Sequence, residues 1–206
     1  MPRRLPPLLL IAALGVLLVW LIWFWQPAEQ ARTGAHRQLG LAAEPAGGDF
    51  TLQSWRGPVA LSDFRGKVVL IYFGYTWCPD ICPTNLAILS LALKQLDAAE
   101  RARVQVLFVS VDPARDTVER LRTYSAYFDP SILGVTGSEE AVADAAARYG
   151  AAYRRSDDEA SAMGYMVDHS SYTYVVDPSG RLVDTLGHAT PAERVVEVIR
   201  AHLAAD

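Results

Sequence analysis

The chain has 206 residues, of which 51% are hydrophobic and 20% are charged, and its formal net charge is −4 at pH 7. This composition is typical of a folded protein with room for one ordinary domain and a short appendage, and it argues against long disordered regions. The acidic balance also argues against a nucleic-acid partner, because phosphate backbones are bound by clusters of Lys and Arg.

The start of the chain predicts a membrane anchor. Residues 8–25 form an unbroken run of eighteen residues without a charge, and at about 1.5 Å per residue such a helix nearly crosses a hydrocarbon core of about 30 Å. Arg3 and Arg4 precede this run, and positive charge stays on the cytoplasmic side. We therefore predict a cytoplasmic segment over residues 1–4 and a transmembrane helix over residues 5–25. A cleaved signal peptide is the alternative interpretation.

With this orientation the rest of the chain is exported, and a single-pass protein of a bacterial inner membrane with its C-terminal domain in the periplasm is predicted. No mitochondrial transit peptide is apparent, because the start has few basic residues and is too apolar. Residues 26–48 lack apolar periodicity and predict a linker, and residues 49–206 predict one domain.

Short apolar and β-branched runs predict the strands of this domain at residues 50–52, 59–61, 67–74, 104–111, 172–176 and 181–186. Apolar spacing predicts helices at residues 86–96, 117–127, 139–149 and 190–203. Thr190 is expected to be the N-cap of the last helix. The order of these elements predicts an α/β, thioredoxin-like fold, in which a central mixed sheet is flanked by helices behind the N-terminal transmembrane helix.

Two cysteines lie between the strand at residues 67–74 and the helix that follows, where residues 76–83 have the sequence TWCPDICP. Pro83 suits the first helical position, which would leave Cys82 near the N-cap. The positive end of a helix favours a thiolate there, and ionised sulfur can attack a disulfide or hold a soft metal. A structural disulfide between Cys78 and Cys82 is disfavoured, because closing so short a loop stabilises little.

A histidine offers a third ligand. His169 comes just before the strand at residues 172–176, which approaches the central strands in a thioredoxin-like sheet. Two sulfurs and one imidazole nitrogen suit a thiophilic metal, and Cu(I) accepts three ligands where Zn²⁺ normally takes four. Asp168 is expected to orient the ring. The competing interpretation is a structural histidine that only donates or accepts a hydrogen bond.

These motifs together resemble the SCO/SenC family of cytochrome c oxidase assembly proteins. The resemblance covers about residues 49–202. The stretches that carry it are GKVVLIYFGYTWCPDICP at residues 66–83, DPARDT at 112–117, VDHS at 167–170 and DPSG at 177–180.

The resemblance implies a thioredoxin-like fold that binds copper through Cys78, Cys82 and His169. Cu(I) is the expected form, and whether Cu(II) is also bound stays open at this point. It also implies a role in building the dinuclear copper centre of cytochrome c oxidase, by delivering copper, by reducing the acceptor cysteines, or by both. The implied partner is the copper-accepting subunit of the oxidase or another copper chaperone. Residues 112–117 are interpreted as framework, with a partner-facing role for Arg115.

Other functions stay open at this point. The leading hypothesis is a metallochaperone rather than a turnover enzyme. The alternative is a thiol–disulfide oxidoreductase that reduces cysteines of a periplasmic partner, for which Cys78 and Cys82 would cycle and His169 would not be needed. A peroxidase would share the fold class and a reactive cysteine, and a tethered interaction domain would need only a structural disulfide.

Overall fold

The computed structural model describes three residues near the start, Leu17, Leu18 and Trp20, and the ranges 45–157 and 164–204. The predicted cytoplasmic segment, nearly all of the predicted transmembrane helix and most of the predicted linker lie outside the described residues. Within the part that is described, no helix is both long and apolar enough to cross a membrane. The folded domain begins at Pro45.

A mixed sheet of five strands forms the centre of this domain, in the order β5-β4-β3-β8-β9. Its strands are β3 (Val68–Gly74), β4 (Val104–Ser110), β5 (Ile132–Val135), β8 (Thr173–Val176) and β9 (Leu182–Leu186). β3, β4 and β5 are parallel, whereas β8 and β9 are antiparallel to their neighbours. The predicted α/β class with a central mixed sheet is confirmed.

Two antiparallel hairpins lie outside the central sheet. They are formed by β1 (Thr51–Ser54) with β2 (Gly57–Ala60), and by β6 (Tyr153–Asp157) with β7 (Tyr165–His169). The first hairpin is followed by a short 3₁₀ helix, Leu61–Phe64. The second hairpin matters for function, because its last residue is His169.

Five helices follow β2 in the described part of the chain. They are α1 (Ile81–Gln95), α2 (Ala98–Ala102), α3 (Val118–Phe128), α4 (Glu139–Tyr149) and α5 (Ala192–Leu203). The leucines at helical spacing bury one face of α1: Leu86, Leu89 and Leu93 are each at most 2% exposed. Apolar helix faces of this kind cover both sides of a parallel sheet and explain why every residue of β3 is buried.

The parallel pairing of β3 with β4 positions the cysteine loop. Gly74 lies opposite Ser110, so both strands end at the same edge of the sheet. The cysteine loop leaves β3 at this edge, and the turn that contains Asp116 leaves β4 there. In open α/β sheets ligands bind beyond the carboxyl ends of the strands, and this edge is therefore where a site is expected.

Several boundaries differ from the sequence predictions. The first helix begins at Ile81 with Asp80 as its N-cap, so Cys82 lies inside the first turn and Pro83 is not the first helical residue. The last helix begins at Ala192 with Pro191 in the N-cap position. The hydroxyl of Thr190 instead donates to the carbonyl of Gly187 (2.8 Å), so the prediction that Thr190 caps the helix is wrong.

Candidate metal centre

The two cysteines lie on either side of the start of α1. Cys78 belongs to the loop after β3 and is 8% exposed, whereas Cys82 lies in the first helical turn and is fully buried. The backbone N–H of Cys82 donates to the sulfur of Cys78 at 3.4 Å. Both side chains are free thiols rather than a disulfide. A structural disulfide therefore does not hold this loop in place.

His169 reaches the cysteines from the end of β7. Its Nε2 lies 3.3 Å from the sulfur of Cys82, and its Nδ1 lies 3.0 Å from the carbonyl oxygen of Ser170. A proton on Nδ1 would be donated to that carbonyl, which leaves the Nε2 lone pair facing the sulfur. The rings of Tyr72 and Tyr75 pack edge-on against the imidazole, with centroids 6.2 and 5.7 Å away.

Asp168 does not orient this ring, contrary to the sequence prediction. Its side chain is exposed and pairs with the Arg154 guanidinium at 3.1 Å. Successive side chains of a strand point to opposite faces, so Asp168 must turn away where His169 turns in. The orienting group is the backbone carbonyl of Ser170, which no side-chain motif could have indicated.

The structure thus brings together the three residues that the sequence singled out. One ligand atom each of Cys78, Cys82 and His169 lie within 4.8 Å of one another. Among the residues that the structure describes, no further His, Cys or carboxylate joins this group. Two soft sulfurs and one imidazole form a three-donor set, which suits Cu(I) better than a structural Zn²⁺ site with four ligands.

The two thiols differ in which of them carries the negative charge. A hydrogen bond from the Cys82 thiol lowers the pKa of Cys78 to about 4, and contacts with His169 and backbone N–H groups contribute, although burial opposes the shift. Burial raises the pKa of Cys82, and the neighbouring Cys78 raises it further. These opposite pKa shifts make Cys78 the thiolate, whereas the sequence predicted Cys82 from its place at the helix start. The reason is burial, because the helix dipole does not compensate the buried Cys82 thiolate for its loss of hydration.

A glycine makes room for the buried sulfur. A Cβ atom added at Gly74 would lie 2.6 Å from the sulfur of Cys82 and 2.9 Å from a ring carbon of Phe108. From the other side, the hydroxyl of Tyr72 donates to the same sulfur at 3.8 Å. The sequence analysis did not single out Gly74. The sequence did contain an indication of this role, because a glycine at the end of a β-branched, aromatic run often marks a close approach of another group.

Asp116 fixes the cysteine loop to the end of β4, a role that the sequence analysis missed. Its fully buried carboxylate accepts hydrogen bonds from the backbone N–H of Thr76 (2.9 Å), from the Thr76 hydroxyl (2.5 Å) and from the Ser110 hydroxyl (2.7 Å). Burial raises the pKa of Asp116, and these donors act against that shift. The N-cap of α3 is the neighbouring Thr117, whose hydroxyl accepts from the N–H of Arg120.

Arg115 lies mostly inside the protein rather than facing a partner. Its guanidinium pairs with Asp112, lies 3.6 Å from the centroid of the Tyr165 ring and donates to the Tyr165 carbonyl at 3.0 Å. The Tyr165 hydroxyl in turn donates to Asp112 at 2.6 Å. These contacts attach the hairpin that carries His169 to the turn after β4.

Comparison with known proteins identifies the family. The SCO1/SenC family model matches residues 40–204. The mouse protein "SCO2 homolog, mitochondrial" is 40% identical over 206 residues, which covers 96% of this chain and 78% of that protein. Its bovine counterpart is 41% identical over 179 residues, covering 86% of this chain and 65% of the relative. The chain thus spans about two thirds of the length of the bovine relative.

Solved structures agree with this match. The solution structure of apo Sco1 from Thermus thermophilus has a TM-score of 0.69 at 45% identity, with 77% of this chain and 91% of that chain covered. The crystal structure of yeast Sco1 with copper bound has a TM-score of 0.70 at 37% identity, with 78% and 89% covered. Since the family model spans well over half of the sequence and the relatives exceed 30% identity, this chain belongs to the SCO1/SenC family.

Proposed function

We propose that this protein binds copper through Cys78, Cys82 and His169 and helps to mature the dinuclear copper centre of cytochrome c oxidase. The observation that carries the proposal is the convergence of three soft donors within 4.8 Å, although Cys82 and His169 are 87 residues apart in sequence. Membership of the SCO1/SenC family supports the oxidase as the destination of the copper.

The donor set fits copper as a cargo. Cys78 is already a thiolate at neutral pH, His169 can present a bare Nε2, and Cys82 has only to lose its proton when the metal binds. Two relatives support the same cargo: yeast Sco1 and the Arabidopsis thaliana ScoI, which is 33% identical to this chain, have both been solved with copper bound. A site with three ligands can also pass its metal to a partner that offers additional soft donors.

A titration of the full-length chain in detergent with Cu(I) tests the proposal. We expect about one copper per chain, and a strong loss of affinity in Cys78→Ser, Cys82→Ser and His169→Ala, because too few soft ligands remain. His188→Ala is the matched control, since His188 is exposed and lies outside the cluster. Copper binding that is unchanged in His169→Ala would contradict the proposed ligand set.

We further propose that residues 1–4 are cytoplasmic, that residues 5–25 anchor the protein in a bacterial inner membrane, and that residues 26–48 link the anchor to the copper domain in the periplasm. The apolar run and the two arginines before it support this arrangement. Alkaline phosphatase fused after Gly48 should be active in cells, whereas β-galactosidase fused at the same position should not. The opposite pattern would place the domain in the cytoplasm.

A second candidate function is the reduction of a partner disulfide, which the lowered pKa of Cys78 favours. The Cys78 thiolate would attack one sulfur of the partner disulfide and release the other as a thiolate. Cys82 would then lose its proton and attack the Cys78 sulfur, so that the partner leaves as a dithiol and this chain holds the disulfide. Two electrons pass to the partner, with one proton from Cys82 and the second proton from water.

His169→Ala distinguishes the two functions in cells. Disulfide reduction needs only the two cysteines, so oxidase activity should persist in the variant if that is the main role. Copper delivery needs the third ligand, so oxidase activity should collapse while the variant stays folded. Circular dichroism of the purified variant is the control for folding.

A further inference from the structure

An exposed surface beside the cysteine loop combines tryptophan with arginine. We call it the tryptophan–arginine face; its residues are Trp55, Arg56, Trp77, Arg120 and Arg122. Trp77 directly precedes Cys78 and is 39% exposed, and Trp55, in the turn between β1 and β2, is 42% exposed. Large apolar rings that stay accessible to water next to a reactive site are typical of surfaces that bind another molecule.

Each indole is covered by a guanidinium from α3. The Arg120 guanidinium carbon lies 4.3 Å from the Trp77 ring centroid, and that of Arg122 lies 4.3 Å from the Trp55 ring centroid. Arg56 approaches Trp55 at 4.8 Å. Residues two apart on a helix differ by about 200° around its axis, so the two rings flank α3 on opposite sides. The exposed side of this helix connects them into one surface.

The charge of this face differs in sign from that of the whole chain. Arg56, Arg120 and Arg122 are exposed, and the exposed acidic residue of the same helix segment is Glu119. Arg120 also lies 3.8 Å from the carboxylate of Asp116, which is buried and so offers no negative surface. The formal net charge of the chain is −4. An approaching acidic surface is therefore attracted to this face rather than to the remainder of the domain.

We propose that the tryptophan–arginine face is the docking surface for an acidic partner protein that receives the copper, an inference that rests on the proposed function. A partner seated on Trp77 is placed directly over Cys78, the less buried of the two sulfurs. Tryptophan and arginine are the residue types that contribute most to protein interfaces. The partner is expected to present Asp and Glu side chains around its own soft metal ligands, so that the arginines select it and speed its approach.

The test uses the copper-loaded full-length chain and, as probe, the purified apo form of the copper-accepting domain of cytochrome c oxidase. Arg122→Glu is the informative variant, because Arg122 covers Trp55 and not Trp77, the residue that precedes Cys78. Arg194→Glu is the matched control: Arg194 is also an exposed helical arginine, near the start of α5, and its reversal changes the net charge equally. Association rates measured at about 50 mM and 500 mM salt separate electrostatic steering from packing.

We expect Arg122→Glu to slow association with the acceptor about tenfold at low salt and much less at high salt, while Arg194→Glu stays near the wild type. Equal rates for the two variants, with about one copper per chain retained in both, overturn the docking inference and leave the proposed function intact. A wild-type chain that takes up no copper overturns the proposed function.

Discussion

Replacing Gly74 with alanine should damage the metal centre although every ligand residue is retained. The new methyl group would lie 2.6 Å from the Cys82 sulfur, 2.9 Å from Phe108 and 3.2 Å from Tyr72. Ordinary contacts begin at 3.4 Å, so the sulfur or the strand has to shift by about 0.8 Å. Overpacking of this kind in a fully packed core costs about 1–3 kcal/mol of unfolding free energy.

The same shift changes the ligand geometry, because the sulfur that must move is the one that lies 3.3 Å from His169 Nε2. A displacement of about 0.8 Å is about a third of a metal–thiolate bond, which is about 2.3 Å long for zinc. We therefore expect at least tenfold weaker Cu(I) binding in competition with a chelator of known affinity. The control is Gly187→Ala, where an added Cβ meets nothing within 4 Å and the backbone is not left-handed. Wild-type stability and copper affinity in Gly74→Ala would refute the argument that glycine is needed for space.

Three further outcomes are expected. Asp116→Ala leaves the donors of Thr76 and Ser110 without their buried acceptor. It should lower the unfolding free energy measured in urea by about 2–4 kcal/mol, with a smaller loss in Asp116→Asn. Equal losses in both variants would contradict the hydrogen-bonding role. In the copper-free protein, a pKa of about 4 keeps Cys78 a thiolate at higher pH. Its rate of alkylation by iodoacetamide should therefore stay high down to about pH 5 and fall as the pH drops through the pKa. An inflection of that rate near pH 8–9, absent in Cys78→Ser, would contradict the assignment of the charge to Cys78. Tyr72→Phe removes the hydroxyl that donates to the Cys82 sulfur and should leave the unfolding free energy within about 1 kcal/mol of the wild type. The reduction potential of bound copper should become more negative, since the sulfur regains electron density. An unchanged potential in a redox titration would exclude Tyr72 as a modulator of that potential.

The convergence of the three site residues was predictable because each follows from a strong pattern. The β-branched run at residues 68–74 and the leucines of α1 predict a strand and a helix with the cysteines between them. The late strand before the Asp177 turn pairs with β3, so the chain directly after His169 returns to the central sheet. Chain order and strand pairing were therefore sufficient to bring the donors to one edge, without knowledge of any side-chain contact.

The charge distribution within the site was not predictable, because it depends on burial. Sequence indicates that Cys82 lies near a helix start, but not that its sulfur lies beneath Gly74 and Tyr72 with no access to water. The start of α1 was predicted too late because of Pro83. The N–H groups of the whole first turn lack helical partners, so proline is tolerated at more than one position there. Sequence alone therefore assigned the thiolate to the wrong cysteine.

The hairpin of β6 and β7 was missed for a different reason. β6 has the sequence YRRSD, which offers no apolar alternation, and a two-stranded ribbon outside the central sheet buries too little to require one. Its position is fixed instead by Tyr165, which bonds to Asp112 and packs under Arg115. Such contacts between distant polar residues leave no local trace in the sequence.

The separate hairpin also means that the two halves of the metal centre have different mechanical supports. The cysteines are anchored in the central sheet through α1 and β3, whereas the imidazole is carried by a hairpin outside that sheet, which reaches the core through Val167. Loosening the contacts of Tyr165 would weaken the support of one ligand of three, while the two sulfurs keep their support from α1 and β3. Release of a bound ion can thus begin at the imidazole, because the strands of its hairpin pair with each other and not with the central sheet.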